Sequence, residues 1–341
     1  NAEGEAKQQL VRLLGNELNN LEAAWLCAVE RGWFERLYVT CKALQQFGEM
    51  TARYKPVEAL LAKALADCPE ENAACVTALA SNLALMRYRL GKYQGAIELT
   101  DMVIANLQKG VIESEERSLS IAQQAYTTQA FSYSSLADFP KTLQLAQKIH
   151  DMLLEKAPDT DAYAQALANL AVIEGDILGN YTVEHYRKAL ELFEAKGQQV
   201  NIAWILVNMA NYFINSHKLH NPKPLLERAN RISENLGLNH WLAMSKYYQA
   251  KITLLEGQYS DAEALCELIL SKAERQNKAS MLAIIWRLRG EVELSRPEGN
   301  FEKALEYLDN ALGYAHAISD VALIQGILVD RLGCFLAGER F

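Results

Sequence analysis

Trp286-Arg287-Leu288-Arg289-Gly290, and after it Gly299-Asn300-Phe301-Glu302-Lys303-Ala304-Leu305-Glu306-Tyr307-Leu308, is the stretch on which the fold turns. A small residue closes one apolar run, a short polar turn follows, and an aromatic opens a second run. Two helices that return antiparallel in close contact need a small residue at the crossing, a tight turn and a bulky residue beside it. The order recurs along the chain. An aromatic or Leu stands at Tyr54, Tyr93, Phe139, Tyr181, Leu219, Tyr259 and Phe301, at steps of 39, 46, 42, 38, 40 and 42 residues. Upstream of these turns lie Ala84, Ala130, Ala171, Ala210, Ala250 and Gly290, at steps of 46, 41, 39, 40 and 40. Downstream lie Ala64, Val103, Ile149, Ala189, Ala229, Ile269 and Ala311. Three series in one register, with a period of about 41, describe one helical hairpin repeated about seven times.

Apolar residues recur at three and four positions, as in Leu79, Leu83, Met86 and Leu90, or Tyr248, Ile252 and Leu255, and almost nothing alternates with period two. Pro56, Pro69, Pro140, Pro158, Pro222, Pro224 and Pro297 fall at junctions, where a missing N–H costs least. Acidic pairs such as Glu70-Glu71 and Glu115-Glu116 place negative charge where a helix dipole is positive. The chain reads as all-α, with about fifteen or sixteen helices.

Of 341 residues 50% are hydrophobic, and only 7 are Pro and 18 Gly, which is the composition of a packed protein. The formal charge of 34 − 42 = −8 disfavours direct nucleic-acid binding and anionic membranes, both of which need clustered Lys and Arg. No window approaches the roughly 18 apolar residues of a membrane span, and no signal peptide is visible. The six cysteines form no CxxC pair and sit among apolar residues, as buried hydrophobes of a reducing compartment do. The expected location is cytoplasmic. Because the chain opens at Asn1 without Met, it is expected to be cut from a longer protein.

Gly257-Gln258-Tyr259-Ser260-Asp261-Ala262 and Phe301-Glu302-Lys303-Ala304 resemble the tetratricopeptide pattern G-x-Y-x-x-A, and Trp286 with Gly290 resembles its Trp-x-x-Leu-Gly start, with Arg289 in place of Leu. The resemblance covers roughly residues 33–318 and implies a right-handed superhelix, an α-solenoid of about seven hairpins. Residues 1–32 would be an N-terminal linker or capping helix, and 319–341 a C-terminal capping helix. Within the first segment, Glu17 to Gly32 with its core Asn20-Leu21-Glu22-Ala23-Ala24 resembles the helix that joins ATPase and sensor in bacterial STAND-type signal-transduction ATPases. That class includes maltose-activator-like and AfsR-like transcription regulators. Glu22 stands where the pattern has Arg, and Trp25 is displaced. The resemblance implies a sensor domain partnered by an ATPase module of the same polypeptide. The alternative is a Rap-like peptide-binding regulator or a general scaffold. A Rap-like chain would need an N-terminal output bundle, for which residues 1–32 are short.

Chemistry-bearing motifs are few. Gly91-Lys92-Tyr93 is no phosphate loop, and no G-x-G-x-x-G, G-x-S-x-G or H-E-x-x-H occurs. His217 and His220, with His240, are the best metal candidates, yet Asn221-Pro222 places the first two in a surface turn. Asn180-Tyr181-Thr182 matches a glycosylation sequon only by coincidence in a reducing compartment. No enzymatic activity, cofactor or metal is therefore expected.

What remains is a binding surface. In tetratricopeptide arrays the first helix of each hairpin lines the concave side, and residues four apart share that face. Counting from the small-residue series, the groove would be lined by Trp204, Asn208, Asn211 and Asn215, then Met244, Tyr247 and Lys251, then Arg287 and Glu291. Amides beside aromatics suit a protein, peptide or small-molecule inducer, and Lys251 and Arg287 suit a carboxylate or phosphate.

Overall fold

Side chains one repeat apart touch in the structure, a computed structural model that describes residues 18–51, 53–178, 183–215, 222–275 and 279–338. Asn82 donates to Cys41, Gln124 to Asn82, Asn169 to Thr127 and Arg287 to Asp330, at separations of 41, 42, 42 and 43 residues. The period read from the sequence is thus a physical spacing.

The chain forms two compact units, Asn1–Ser134 with Asp138–Gly179, and Ser135–Ala137 with Asn180–Phe341. The first holds α1 (Leu18–Glu30), α2 (Phe34–Thr51), α3 (Tyr54–Asp67), α4 (Ala73–Arg89), α5 (Tyr93–Gln108), α6 (Glu115–Ser135), α7 (Phe139–Lys156) and α8 (Asp161–Leu178). In the second are α9 (Val183–Ala195), α10 (Gln199–Asn215), α11 (Pro222–Leu236), α12 (Asn239–Leu255), α13 (Tyr259–Arg275), α14 (Ala279–Ser295), α15 (Phe301–Ala317) and α16 (Val321–Gly338). No strand occurs among the described residues. Hairpins α2/α3, α4/α5 and α6/α7 build the first unit, and α10/α11, α12/α13 and α14/α15 the second.

The small-residue series sits where close packing demands it. Ala84, Ala130, Ala171, Ala210, Ala250 and Gly290 are all buried, as are the seven residues of the downstream series. A Cβ placed on Gly290 would lie 2.9 Å from the Leu308 side chain, so α14 and α15 approach as closely as a glycine allows. Trp25, Ala28 and Val29 of α1 join the core of the first hairpins, and the Trp25 indole N–H donates to the Leu60 carbonyl at 3.0 Å. That indole is a core anchor.

The aromatics open the second helix of each hairpin: Tyr54, Tyr93, Phe139, Tyr259 and Phe301 are the first residues of α3, α5, α7, α13 and α15. Tyr93 is buried and Phe139 exposed, while Tyr181 and Leu219 lie outside the described residues. At three of these turns a left-handed residue two positions earlier reverses the chain. Gly91 (φ 73°) and Gly257 (φ 75°) bond back to the Tyr88 and Leu254 carbonyls, and the next N–H reaches Arg87 or Thr253. These bonds satisfy the last carbonyls of the first helix. Ala137 (φ 62°) does the same before α7 without glycine's freedom. Gly299 shows no positive φ; it is required because a Cβ would collide with the Glu293 carbonyl.

Candidate functional site

Four of the expected residues converge in the second unit. Tyr247 and Lys251 lie one turn apart on α12, and Arg287 and Glu291 one turn apart on α14, all half-buried. The Lys251 ammonium stands 5.6 Å from the centre of the Tyr247 ring. Arg287 Nε donates to Asp330 Oδ2 on α16 at 2.5 Å and lies 3.7 Å from Glu291 Oε1. Burial holds the Glu291 carboxyl above the usual carboxylate range against the opposing charges of Lys251 and Arg287, with Asp330 adding to the rise. Burial also raises the Tyr247 phenol, and the Glu291 charge adds to it. Three consecutive first helices therefore present a tyrosine, two cations and two carboxylates on one face. Asp330 belongs to this group although the sequence reading missed it; its signal is a carboxylate one period after Arg287.

The α10 residues make a separate ladder. Trp204 meets Trp241 edge to face at 6.5 Å. Asn208 donates to the Trp204 carbonyl at 2.9 Å, and Asn215 to the Asn211 side chain at 3.3 Å. Both bonds stay on their own helix, so part of the amide capacity foreseen for a ligand is spent locally. Met244 packs with Ile269, Met281 and Ile285 in the core of the second unit, which makes it more a packing residue than a lining one.

The first unit carries a face that sequence reasoning did not find. Gln124 donates to Ser81 Oγ at 3.1 Å and Asn82 Oδ1 at 3.3 Å, and Asn82 to the Ala78 carbonyl at 2.7 Å. Arg117 of α6 stacks 3.5 Å from the Tyr38 ring of α2 and donates to the Tyr38 carbonyl. Lys42 of α2 reaches Ser120 of α6 at 3.2 Å. Glu35, Tyr38, Asn72, Cys75 and Val111 line a cleft of about 350 Å³ nearby.

Arg289, which replaces a Leu of the pattern, is buried. Its guanidinium lies between the rings of Trp286 (4.9 Å) and Tyr307 (4.4 Å), bonds Glu263 Oε1 of α13, and donates to the Tyr307 hydroxyl at 3.2 Å. It ties α13, α14 and α15 together.

Burial pushes the Cys41 thiol up to about 11 and Cys266 to about 12, far from thiolate character at neutral pH. No group of three His, Cys, Asp or Glu among the described residues is placed to hold a metal. His240 packs against Trp241 at 4.6 Å, whereas His217, His220 and the sequon at Asn180 lie outside the described residues. No described helix is long and apolar enough to cross a membrane.

No protein-family model matches the chain, and no curated protein matches it by sequence. Its fold is similar to that of solved structures. A Rap protein complexed with competence and sporulation factor is 11% identical, with 94% of this chain and 98% of that chain covered and a TM-score of 0.59. Aspartyl phosphate phosphatase F from Bacillus subtilis is 14% identical, with 92% of each chain covered and a TM-score of 0.53. The fold is a tetratricopeptide-like array of helical hairpins.

Proposed function

We propose that this chain is a non-enzymatic, cytoplasmic binding module whose recognition surface is the first-helix face of the second unit. The observation that carries the reading is the cluster of Tyr247, Lys251, Arg287, Glu291 and Asp330 on α12, α14 and α16. Half-buried charges on consecutive repeats are costly unless paired, and a cluster with an aromatic platform offers both signs to a polar protein or peptide. Trp204, Asn208, Asn211 and Asn215 on α10 extend that surface. By the resemblance at residues 17–32, the module is the sensor of a STAND-type ATPase that controls transcription. Ligand binding there would shift the population of repeat arrangements by its differential affinity and release the ATPase.

One observation favours the Rap-like reading: coverage of 98% of the Rap chain weakens the objection that the N-terminal segment is too short. The complete coding sequence separates the two. A phosphate-binding G-x-x-x-x-G-K-[ST] loop roughly 300 residues upstream supports the sensor, and a short N-terminal bundle supports the regulator.

The surface itself is tested by screening a random-sequence peptide library for binding by fluorescence anisotropy. Binders should weaken on Lys251→Glu while the melting temperature holds, because reversing a half-buried charge costs more than losing an exposed pair. Binders indifferent to Lys251→Glu and Asn211→Ala together would move the site elsewhere.

A further inference from the structure

Lys246 of α12 and Lys272 of α13 stand where the neighbouring hairpins place apolar residues. In the register of the small-residue series, Lys246 corresponds to Leu206 on α10 and Trp286 on α14, 40 residues away in each direction. In the downstream series, Lys272 corresponds to Ile232 on α11 and Tyr314 on α15. Leu206 is fully buried and Ile232 half-buried, and Trp286 and Tyr314 both pack against the buried cores of the second unit. At these positions an apolar side chain fills the space between helices. A lysine fills it only in part, because its stem packs while its ammonium stays in water. The α12/α13 hairpin accordingly keeps a slot of about 30 Å³. Leu242, Ile269, Ala273 and Met281 form its apolar wall, and Lys246, Lys272 and Asn239 its polar rim.

The charge of the slot runs against that of the chain. The sequence carries 42 acidic and 34 basic side chains, yet no described acid lines the slot. Lys223, Arg287 and Arg289 of the same unit pair with Glu256, Asp330 and Glu263. Lys246 and Lys272 make no ion pair or hydrogen bond among the described residues. Two ammonium groups at one apolar slot repel each other, and an anion between them is attracted by both. An inorganic anion would leave the wall in water, so the complementary molecule carries its charge on an aliphatic chain.

We propose that the α12/α13 slot binds an aliphatic monocarboxylate. Its chain end lies against Leu242, Ile269, Ala273 and Met281, and its carboxylate between Lys246 and Lys272, with the Asn239 amide as a third donor. The slot has room for about two water-sized groups, or roughly the last two or three carbons of a chain. The exposed Leu268 continues the wall outward and covers the carbons that follow. The slot shares no residue with the surface of Tyr247, Lys251, Arg287 and Glu291, so either reading can fail without the other.

Isothermal titration calorimetry of the 341-residue chain with butanoate, hexanoate and octanoate, each to about 10 mM at low salt, tests the site. Affinity should rise about tenfold from butanoate to hexanoate, as two more methylenes leave water. Hexan-1-ol, with the same chain and no charge, should bind about tenfold more weakly than hexanoate. Lys246→Gln combined with Lys272→Gln should weaken hexanoate about tenfold. Ala243→Leu, at a half-buried lining residue, should do the same by filling the slot. Lys63→Gln, at an exposed residue of α3, should leave binding unchanged. Thermal melts followed by circular dichroism check that the variants stay folded. No binding of octanoate over the whole range overturns the proposal. So does hexan-1-ol binding as tightly as hexanoate, or hexanoate binding that the lysine variant and Ala243→Leu both leave intact.

Discussion

The two units repeat the same hairpin and join their first helices by different mixtures of neutral and charged contacts. In the first, neutral groups span the repeats, Gln124 to Ser81 and Asn82, Asn82 to Cys41 and Asn169 to Thr127, beside one ion pair at the helix ends, Arg89 with Glu49 at 2.7 Å. The second uses charges: Arg287 to Asp330 across one repeat, and Arg289 to Glu263 within the core. A neutral amide contact adds about 1 kcal/mol and is insensitive to pH. A half-buried ion pair responds to protonation, and either partner alone is a liability.

The largest effect should come from unpairing a buried charge. Glu263→Ala leaves Arg289 between two rings with only the exposed Glu267, 3.6 Å away, as a carboxylate partner and should cost about 3 kcal/mol. Gln124→Ala, the matching cut in the first unit, should cost about 1 kcal/mol. Urea unfolding followed by circular dichroism measures both, and equal losses would erase the contrast between the units. Overpacking should treat the units alike. Ala84→Leu and Ala250→Leu each fill a fully buried position at a helix crossing and should cost about 2 kcal/mol. An unchanged melting temperature in either variant would refute the shared register.

A smaller effect separates the units by pH. Glu291 is raised by burial, so the folded state binds its proton more tightly than the unfolded chain does. Its contribution to stability is fully present below the ordinary carboxylate pKa and is lost as pH rises through the raised value. Glu291→Gln should flatten that part of the stability curve; a slope identical to the parent's would show that the group is solvated after all. The smallest effect is in the turns. Ala137→Gly relieves a left-handed alanine and should gain about 0.5 kcal/mol, with Gly257→Ala losing about as much. A loss at Ala137→Gly would mean that chain entropy outweighs the relieved strain.

Most of the fold could be read from the residues because a small side chain at a crossing has no substitute. Every described member of the small-residue series is buried. In the turns glycine has two uses. At Gly257 it supplies a positive φ, at Gly299 it supplies room, and at Ala137 the conformation occurs without it. Of the candidate surface, helical spacing located Tyr247, Lys251, Arg287 and Glu291, since charges one turn apart must share a face. Asp330 escaped because it lies in a helix read only as a cap. The Gln124–Asn82 ladder escaped because amides satisfied across repeats leave no mark on apolar periodicity. Arg289 looked like a defect in the pattern, yet two rings and a carboxylate make it a buried post.

The contacts of Arg117 with Tyr38 and of Lys42 with Ser120 join residues 79 and 78 apart, two repeats rather than one. Most solenoids behave as chains in which each unit knows only its neighbour, and such chains can be lengthened or shortened by whole modules. Here α2 and α6 are clasped over α4. Removing the middle hairpin, or duplicating it, would change the distance that the clasp spans and leave its arginine without a ring to stack on. These three repeats form a closed cassette, to be inherited, grafted or lost as one piece.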